Sequence, residues 1–144
     1  MLANEVTFAD IQSMDDVSNY FNLVVEQIEN NCALTQFERD YQVGALLVGV
    51  GNYKDAIIRL EKSFEALVEL KTNYVWSSLY CSVGCAYAGA LDYIGSNDLA
   101  NSVYLRLIEF NPYGSFLGDY AVFLHRKRKE NKAAERFVGY FYLN

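Results

Sequence analysis

The sequence has one proline in 144 residues and no long apolar run. A single proline leaves most of the chain free to form helices, because proline in a helix interior removes a backbone hydrogen bond. No stretch approaches the roughly 20 continuous apolar residues of a membrane span. The N-terminus also lacks the basic region and apolar run of a secretory signal peptide. We therefore expect a cytoplasmic protein.

Basic residues are few. The 12 lysines and arginines are outnumbered by 18 acidic residues, which gives a net charge of −6 and a pI near 4.7. Binding to a phosphate backbone requires clustered lysine and arginine over a sizeable face, so nucleic acid is excluded as the expected partner. The charge is uneven, because residues 1–112 carry a balance of −9 and residues 113–144 a balance of +3.

The three cysteines are an odd number without the spacing of a metal site. This disfavours a disulfide framework. Cys81 and Cys85 lie four residues apart, on one face if the segment is helical. We interpret them as small packing residues, since free cysteine is among the most buried residue types.

Sequence patterns for catalysis are missing as well. The sequence contains no glycine-rich phosphate loop, no His/Glu metal motif and no G-x-S-x-G elbow. His125 is the only histidine, and a lone histidine beside four cations is more often a packing or solvated residue than a catalyst. We therefore expect a non-enzymatic protein without a cofactor or metal ion.

What the sequence does contain is a pair of helical patterns in residues 81–112. Small or apolar residues recur at helical spacing, a glycine and a serine interrupt them, and a second stripe follows before Asn111-Pro112 ends it. The first stripe is Gly84, Tyr87, Ala88 and Leu91, the break is Gly95-Ser96, and the second stripe is Ala100, Tyr104 and Leu107.

The same pattern recurs on both sides. Moving back by 44 positions pairs Ala88 with Gly44, Leu91 with Leu47, Gly95 with Gly51, Ala100 with Ala56 and Tyr104 with Leu60. Moving forward by 34 positions pairs Ala88 with Val122, Ala100 with Ala134, Tyr104 with Val138 and Leu107 with Phe141. A period of about 34 residues is typical of tetratricopeptide repeats, and residues 37–144 resemble that family.

The resemblance implies an all-α fold, an α-α superhelix of antiparallel hairpins with about seven helices in one domain. The expected units are a leading helix over 13–31 and hairpins over 35–71, 73–111 and 113–144. The third hairpin is expected to turn near Lys129–Asn131. Whether the leading helix is a degenerate repeat or an N-terminal cap stays open.

Local signals predict several helix ends. Thr35-Gln36-Phe37-Glu38 is a capping box, and Gly51 is suited to a left-handed turn before an N-cap at Asn52. Thr72-Asn73 is expected to form the corner between the first two hairpins, whose helices should be longer than usual.

In tetratricopeptide proteins the first helix of each hairpin lines a concave groove, so the resemblance implies a set of ligand contacts. We expect the groove to bind a peptide or protein of mixed apolar character. Alternatively, three hairpins make too shallow a groove, and its aromatic residues pack against one another. The implied groove residues are Glu38, Tyr41, Ala45, Val48, Ser82, Cys85, Gly89, Asp92, Tyr93, Phe116, Asp119, Phe123, Arg126 and Lys127.

Two functions from different classes fit this expectation. The first is an adaptor or regulatory protein that docks a partner. The second is a small acidic chaperone similar to those of type III secretion, which hold apolar client segments. An enzyme with an unrecognised site is a distant third. The chaperone-tail carboxylate clamp of some tetratricopeptide domains is absent, because its positions read Tyr41, Ala45, Ala86, Phe116 and Tyr120.

Two further expectations concern the C-terminal region. Arg126 and Lys127 either select an acidic group on the ligand or are a solvated helix end. The last helix lacks the polar character of a terminal cap, and Phe137 and Tyr140 would lie opposite its inward face. We therefore expect self-association as a homodimer, or a partner, at that helix; the alternative is that the terminal residues fold back and bury themselves.

Overall fold

The chain is helical throughout the part that the structure describes. A computed structural model describes the backbone of residues 14–143 and the side chains of residues 16–132. The predicted all-α class is confirmed, with no strand in the described range. The six helices are α1 (Met14–Glu29), α2 (Gln36–Gly49), α3 (Tyr53–Leu67), α4 (Tyr74–Tyr93), α5 (Asn97–Phe110) and α6 (Phe116–Leu143).

None of the helices described over residues 14–143 is both long enough and apolar enough to cross a membrane.

Helices α2 to α6 pack in chain order. Each contacts the next, and α4 also contacts α2 and α6, so that α4 touches four other helices. Helix α1 packs against α2. Short connections explain the antiparallel pairs, because a few residues can only return the chain beside the helix it has just left.

The two turns predicted to be equivalent have the same backbone geometry. Gly51 and Gly95 both have positive φ, 80° and 84°. In each turn the glycine N–H donates to the carbonyl three residues earlier at 3.0 Å, and the following N–H donates five residues back at 2.9 Å. This is the Schellman arrangement, which satisfies the last carbonyls of a helix. The offset of 44 therefore joins structurally equivalent turns.

The predicted helix starts are confirmed. Thr35 and Glu38 form the complete capping box, in which the Glu38 N–H donates to Thr35 Oγ1 at 3.2 Å and the Thr35 N–H donates to Glu38 Oε1 at 2.9 Å. Asn52 caps α3, and Asn73 caps α4 by accepting from the Val75 N–H at 2.9 Å. The corner between the first two hairpins thus lies where Thr72-Asn73 predicted it.

The core is an aromatic cluster centred on α4. Phe64 of α3 stacks on Tyr80 with ring centroids 4.7 Å apart, and Tyr80 meets the edge of Phe110 at 5.1 Å. Tyr104 continues the cluster to Phe123 of α6 at 5.5 Å. Small residues allow the helices to approach, since Ala56, Ala88 and Ala100 are fully buried.

The expected third hairpin is wrong. Helix α6 runs without interruption through Lys129–Asn131, so the described range has six helices and not about seven. No glycine or proline lies between Gly118 and Gly139, and this segment is rich in Lys, Arg, Glu and Ala, which favour continuous helix. The match of Ala88 with Val122 fails too, because Val122 is 66% exposed.

The side chains of Ala134, Phe137, Val138, Tyr140 and Phe141 lie outside the described residues, so their expected inward or outward positions stay predictions. The backbone does bear on one alternative. Because α6 is one helix up to Leu143, its last turns do not fold back onto its own first half.

We predict that Gly84→Ala destabilises the protein by about 1–3 kcal/mol, the usual cost of overpacking a core. A Cβ at Gly84 would lie 2.5 Å from Leu107 Cδ2 and 2.9 Å from Phe64 Cε2, and both side chains are fully buried. The matched control in the same helix is Gly89→Ala, whose Cβ would meet nothing within 4 Å. Urea unfolding should show the control as stable as the parent or more stable, because alanine favours helix over glycine. Equal losses in both variants would contradict a close crossing at Gly84.

We also predict that Asn131→Pro reduces helicity in far-ultraviolet circular dichroism relative to Asn131→Ala. Proline inside a helix clashes with the carbonyl of residue i−4 and costs about 3 kcal/mol or more locally. If the chain turned at Lys129–Asn131, as the repeat pattern suggested, the two variants would have the same spectrum.

Candidate functional site

An apolar cleft lies between α1 and α2. Its volume is about 530 Å³, within the range that accommodates a ligand the size of a few side chains. Among the described lining residues, the polar side-chain groups are the Gln42 amide and the Tyr41 hydroxyl. The lining residues are Val24 and Ile28 from α1, and Tyr41, Gln42, Ala45, Leu46, Gly49 and Val50 from α2 and its C-cap.

Small residues on α2 keep this cleft open. Ala45 is exposed, and a Cβ placed on Gly49 would meet no atom within 4 Å. Leu46 and Tyr41 are only partly buried, and Val50 is 58% exposed at the end of the cleft. Covering an open, concave apolar surface with another apolar surface lowers the free energy, because both surfaces are removed from water.

An ion pair with α3 holds the C-terminal end of α1. Arg59 of α3 contacts Glu29 of α1, and its Nε lies 3.0 Å from Asp40 Oδ1 on α2. The Asp40 side chain is 7% exposed, and it also accepts from Gln36 Nε2 at 3.2 Å. This bridge ties three helices together next to the cleft and fixes the α1 wall relative to α2.

The groove residues implied on α4 and α6 form a second region, and here they contact one another. Arg126 Nη2 contacts Asp92 Oδ2, and Lys127 Nζ lies 3.2 Å from Asp92 Oδ1. Lys127 also lies 3.4 Å from Glu130. Asp92 is therefore the intramolecular counter-ion of the two cations that were expected to reach a ligand.

Cys85 and Asp119 make a further polar contact between α4 and α6. The thiol donates to Asp119 Oδ2 at 3.3 Å. Burial, together with the hydrogen bond to Asp119 and the nearby Asp119 charge, raises the pKa of Cys85 to about 12. A thiol with this pKa is almost entirely protonated at neutral pH, so it is a packing and hydrogen-bonding group and not a nucleophile.

The aromatic residues of the implied groove are divided between core and surface. Phe116 and Phe123 are 1% and 3% exposed and belong to the core. The expectation that both contact a ligand stays a prediction. Tyr93 is 71% exposed and stacks on Tyr53 with centroids 3.9 Å apart. Gly89 is exposed, and Val48 is half-buried against the core.

A smaller cavity of about 330 Å³ lies between α5 and α6. Its lining is mostly polar, and Phe123 contributes one buried wall. The lining residues are Asn97, Asp98, Asn101, Phe123, Leu124, Lys127 and Asn131.

The sequence located part of the cleft. Tyr41 and Ala45 were implied as ligand contacts and do line it, whereas Val24 and Ile28 were not among the implied contacts. The available signal was the apolar stripe of the leading helix, in which Val17, Tyr20 or Phe21, Val24 and Ile28 recur at three- and four-residue steps. Of that stripe, Val17 remains 43% exposed, so the face of α1 is not fully covered by α2.

Within the described residues no group of three or more His, Cys, Asp or Glu side chains has the arrangement of a metal site. Comparisons with protein-family models, with curated proteins and with solved structures each gave no match.

We predict that iodoacetamide labels exposed Cys32 well before Cys85 at pH 8. With a pKa of about 12, Cys85 has a thiolate fraction of about one in ten thousand at that pH. Asp119→Asn removes a charge that raises the thiol pKa, so it should increase the Cys85 labelling rate several-fold, measured by peptide mass spectrometry. Glu69→Gln, at an exposed carboxylate on the α3–α4 connection, is the control and should leave the rate unchanged. Cys85 labelling as fast as Cys32 in the parent would contradict the buried, hydrogen-bonded thiol.

Proposed function

We propose that this protein is a non-enzymatic protein-interaction module that binds an apolar or amphipathic peptide segment of a partner. The observation that supports this most is the open cleft between α1 and α2, which has an almost wholly apolar lining. Tyr41 and Ala45, two of its residues, are also positions that the tetratricopeptide resemblance implies for ligand contact.

The packing order supports the same proposal. Consecutive helices contact one another, α4 contacts α2 and α6, and two turns repeat the same hydrogen bonds at an offset of 44. In this proposal α2, α4 and α6 form the ligand-binding face of a tetratricopeptide-like superhelix. The α4–α6 part of the face is closed by its own ion pairs, so binding is concentrated at the α1–α2 end.

Arg126 and Lys127 could bind a ligand only by exchanging their ion pairs with Asp92 for new ones. A ligand carboxylate that approached them would compete with Asp92, and the gain from the new ion pair would be offset by the loss of the existing one. These residues therefore act mainly in joining α4 to α6, and ligand selection lies in the cleft.

A chaperone of the type III secretion class is the second candidate. It is favoured by the lining itself, since the Gln42 amide and the Tyr41 hydroxyl are the polar side-chain groups among its described residues. An apolar surface with so few hydrogen-bonding groups accepts many apolar sequences. An adaptor should bind one folded partner at fixed stoichiometry, whereas a chaperone should bind several clients only through unfolded segments.

We predict that peptides selected from a displayed random library against the parent bind with micromolar dissociation constants and lose at least about tenfold in affinity with Ala45→Glu. A carboxylate at this position places a charge in the apolar cleft, which is costly when a ligand covers it. The matched control is Ala121→Glu, the same change at an exposed position on α6. Fluorescence anisotropy measures both. Peptides that bind Ala45→Glu as tightly as the parent would place the site elsewhere.

A further inference from the structure

We propose that the cleft between α1 and α2 binds the C-terminal part of α6, residues 128–143, from a second copy of this chain. The contact is head to tail, since different surfaces of the two molecules meet. This inference rests on the proposed function, because it uses the same cleft and names its occupant.

The two ends of the molecule have opposite charge. Residues 14–50, which form α1, α2 and the cleft, contain six acidic and one basic side chain, a balance of −5 out of the total of −6. Residues 113–144 contain six basic and three acidic side chains, a balance of +3. Complementary charge of this kind steers association and fixes which surfaces meet.

Part of the positive charge of α6 is free to face another molecule. Arg126 and Lys127 are engaged with Asp92 in the same chain. Beyond them, Arg128, Lys129 and Lys132 are all exposed. The basic side chains available to a partner therefore lie beyond Lys127, past the part of α6 that forms ion pairs with α4.

The length of α6 supplies a helix for the cleft. Asn131 and Asn97 both line the smaller cavity, and Asn97 lies at the start of α5. Residues 132–143 continue the helix past that level by twelve residues, about 18 Å at 1.5 Å per residue. In sequence, Phe137, Tyr140 and Phe141 are spaced i, i+3 and i+4, the spacing of the anchors with which an amphipathic helix enters an apolar groove.

The same molecule cannot readily fill its own cleft. Helix α6 packs on α4 and α5, whereas the cleft lies between α1 and α2. Because α6 is one continuous helix, its last turns would have to break away from it to turn towards α2. A second copy brings a straight helix to the cleft without this cost.

Sedimentation equilibrium on the full chain tests the contact. The parent should self-associate at micromolar concentration, with an average mass rising above the monomer's 16.4 kDa. Ala45→Glu should weaken self-association at least about tenfold, and Ala121→Glu should not. Ala45→Glu adds a negative charge to the acidic end of the molecule, so a purely electrostatic attraction to the basic tail would be strengthened by it and not weakened.

Mixing two variants identifies the surfaces. Phe137→Glu/Tyr140→Glu, the tail variant, keeps its cleft, and Ala45→Glu, the cleft variant, keeps its tail. Each alone should stay monomeric, and an equimolar mixture should recover association, because one intact cleft then meets one intact tail. Circular dichroism of each variant should match the parent. A cleft variant that associates like the parent would place the contact outside the cleft and would overturn the proposal.

A synthetic peptide of residues 128–144 is the direct probe. It should bind the tail variant and the parent with micromolar affinity and the cleft variant at least about tenfold more weakly. A parent that stays monomeric at about 100 μM and does not bind the peptide would overturn this inference. The proposed function would still stand if library peptides lose affinity with Ala45→Glu, so the two failures are distinguishable.

Discussion

The close approach of α3, α4 and α5 around Gly84 is the contact on which the rest of the structure depends. Leu107 of α5 and Phe64 of α3 occupy the space where a side chain would stand. Gly44 has the corresponding role between α2 and α3, since a Cβ there would lie 2.8 Å from Leu60. The absence of a side chain at Gly84 and Gly44 sets the distance between the helices at these crossings. The buried alanines likewise allow neighbouring helices to approach closely.

The parts of the fold that sequence predicted are those decided by local backbone chemistry. A left-handed glycine followed by an N-cap at Asn52 specifies a turn within four residues, and the same is true of the Thr35 capping box. These signals act over one helical turn and need no knowledge of tertiary packing. The tetratricopeptide resemblance of the whole stack stays a prediction.

The third hairpin is wrong because local helix propensity overrides the 34-residue periodicity in this segment. The offset of 34 required a turn near Lys129–Asn131, yet the residues there are helix formers without a glycine or proline. The same offset does join residues that touch, since Cys85 contacts Asp119 and Asp92 contacts Arg126. The offset of 34 therefore aligned residues of α4 and α6 that are neighbours, but the further turn it predicted does not exist.

The candidate site shows why residue type alone did not predict which side chains are available to a ligand. Charged residues on the implied face were natural candidates for recognition, but the folded chain pairs Asp92 with Arg126 and Lys127. The offset of 34 aligns Asp92 with Arg126, but that they form an ion pair depends on how α4 and α6 pack. The apolar residues at the α1–α2 end have no such partner available within the cleft. In the proposed function, the free energy of association therefore comes from covering Tyr41, Ala45 and Leu46, and the uneven charge of the chain selects the partner that approaches them.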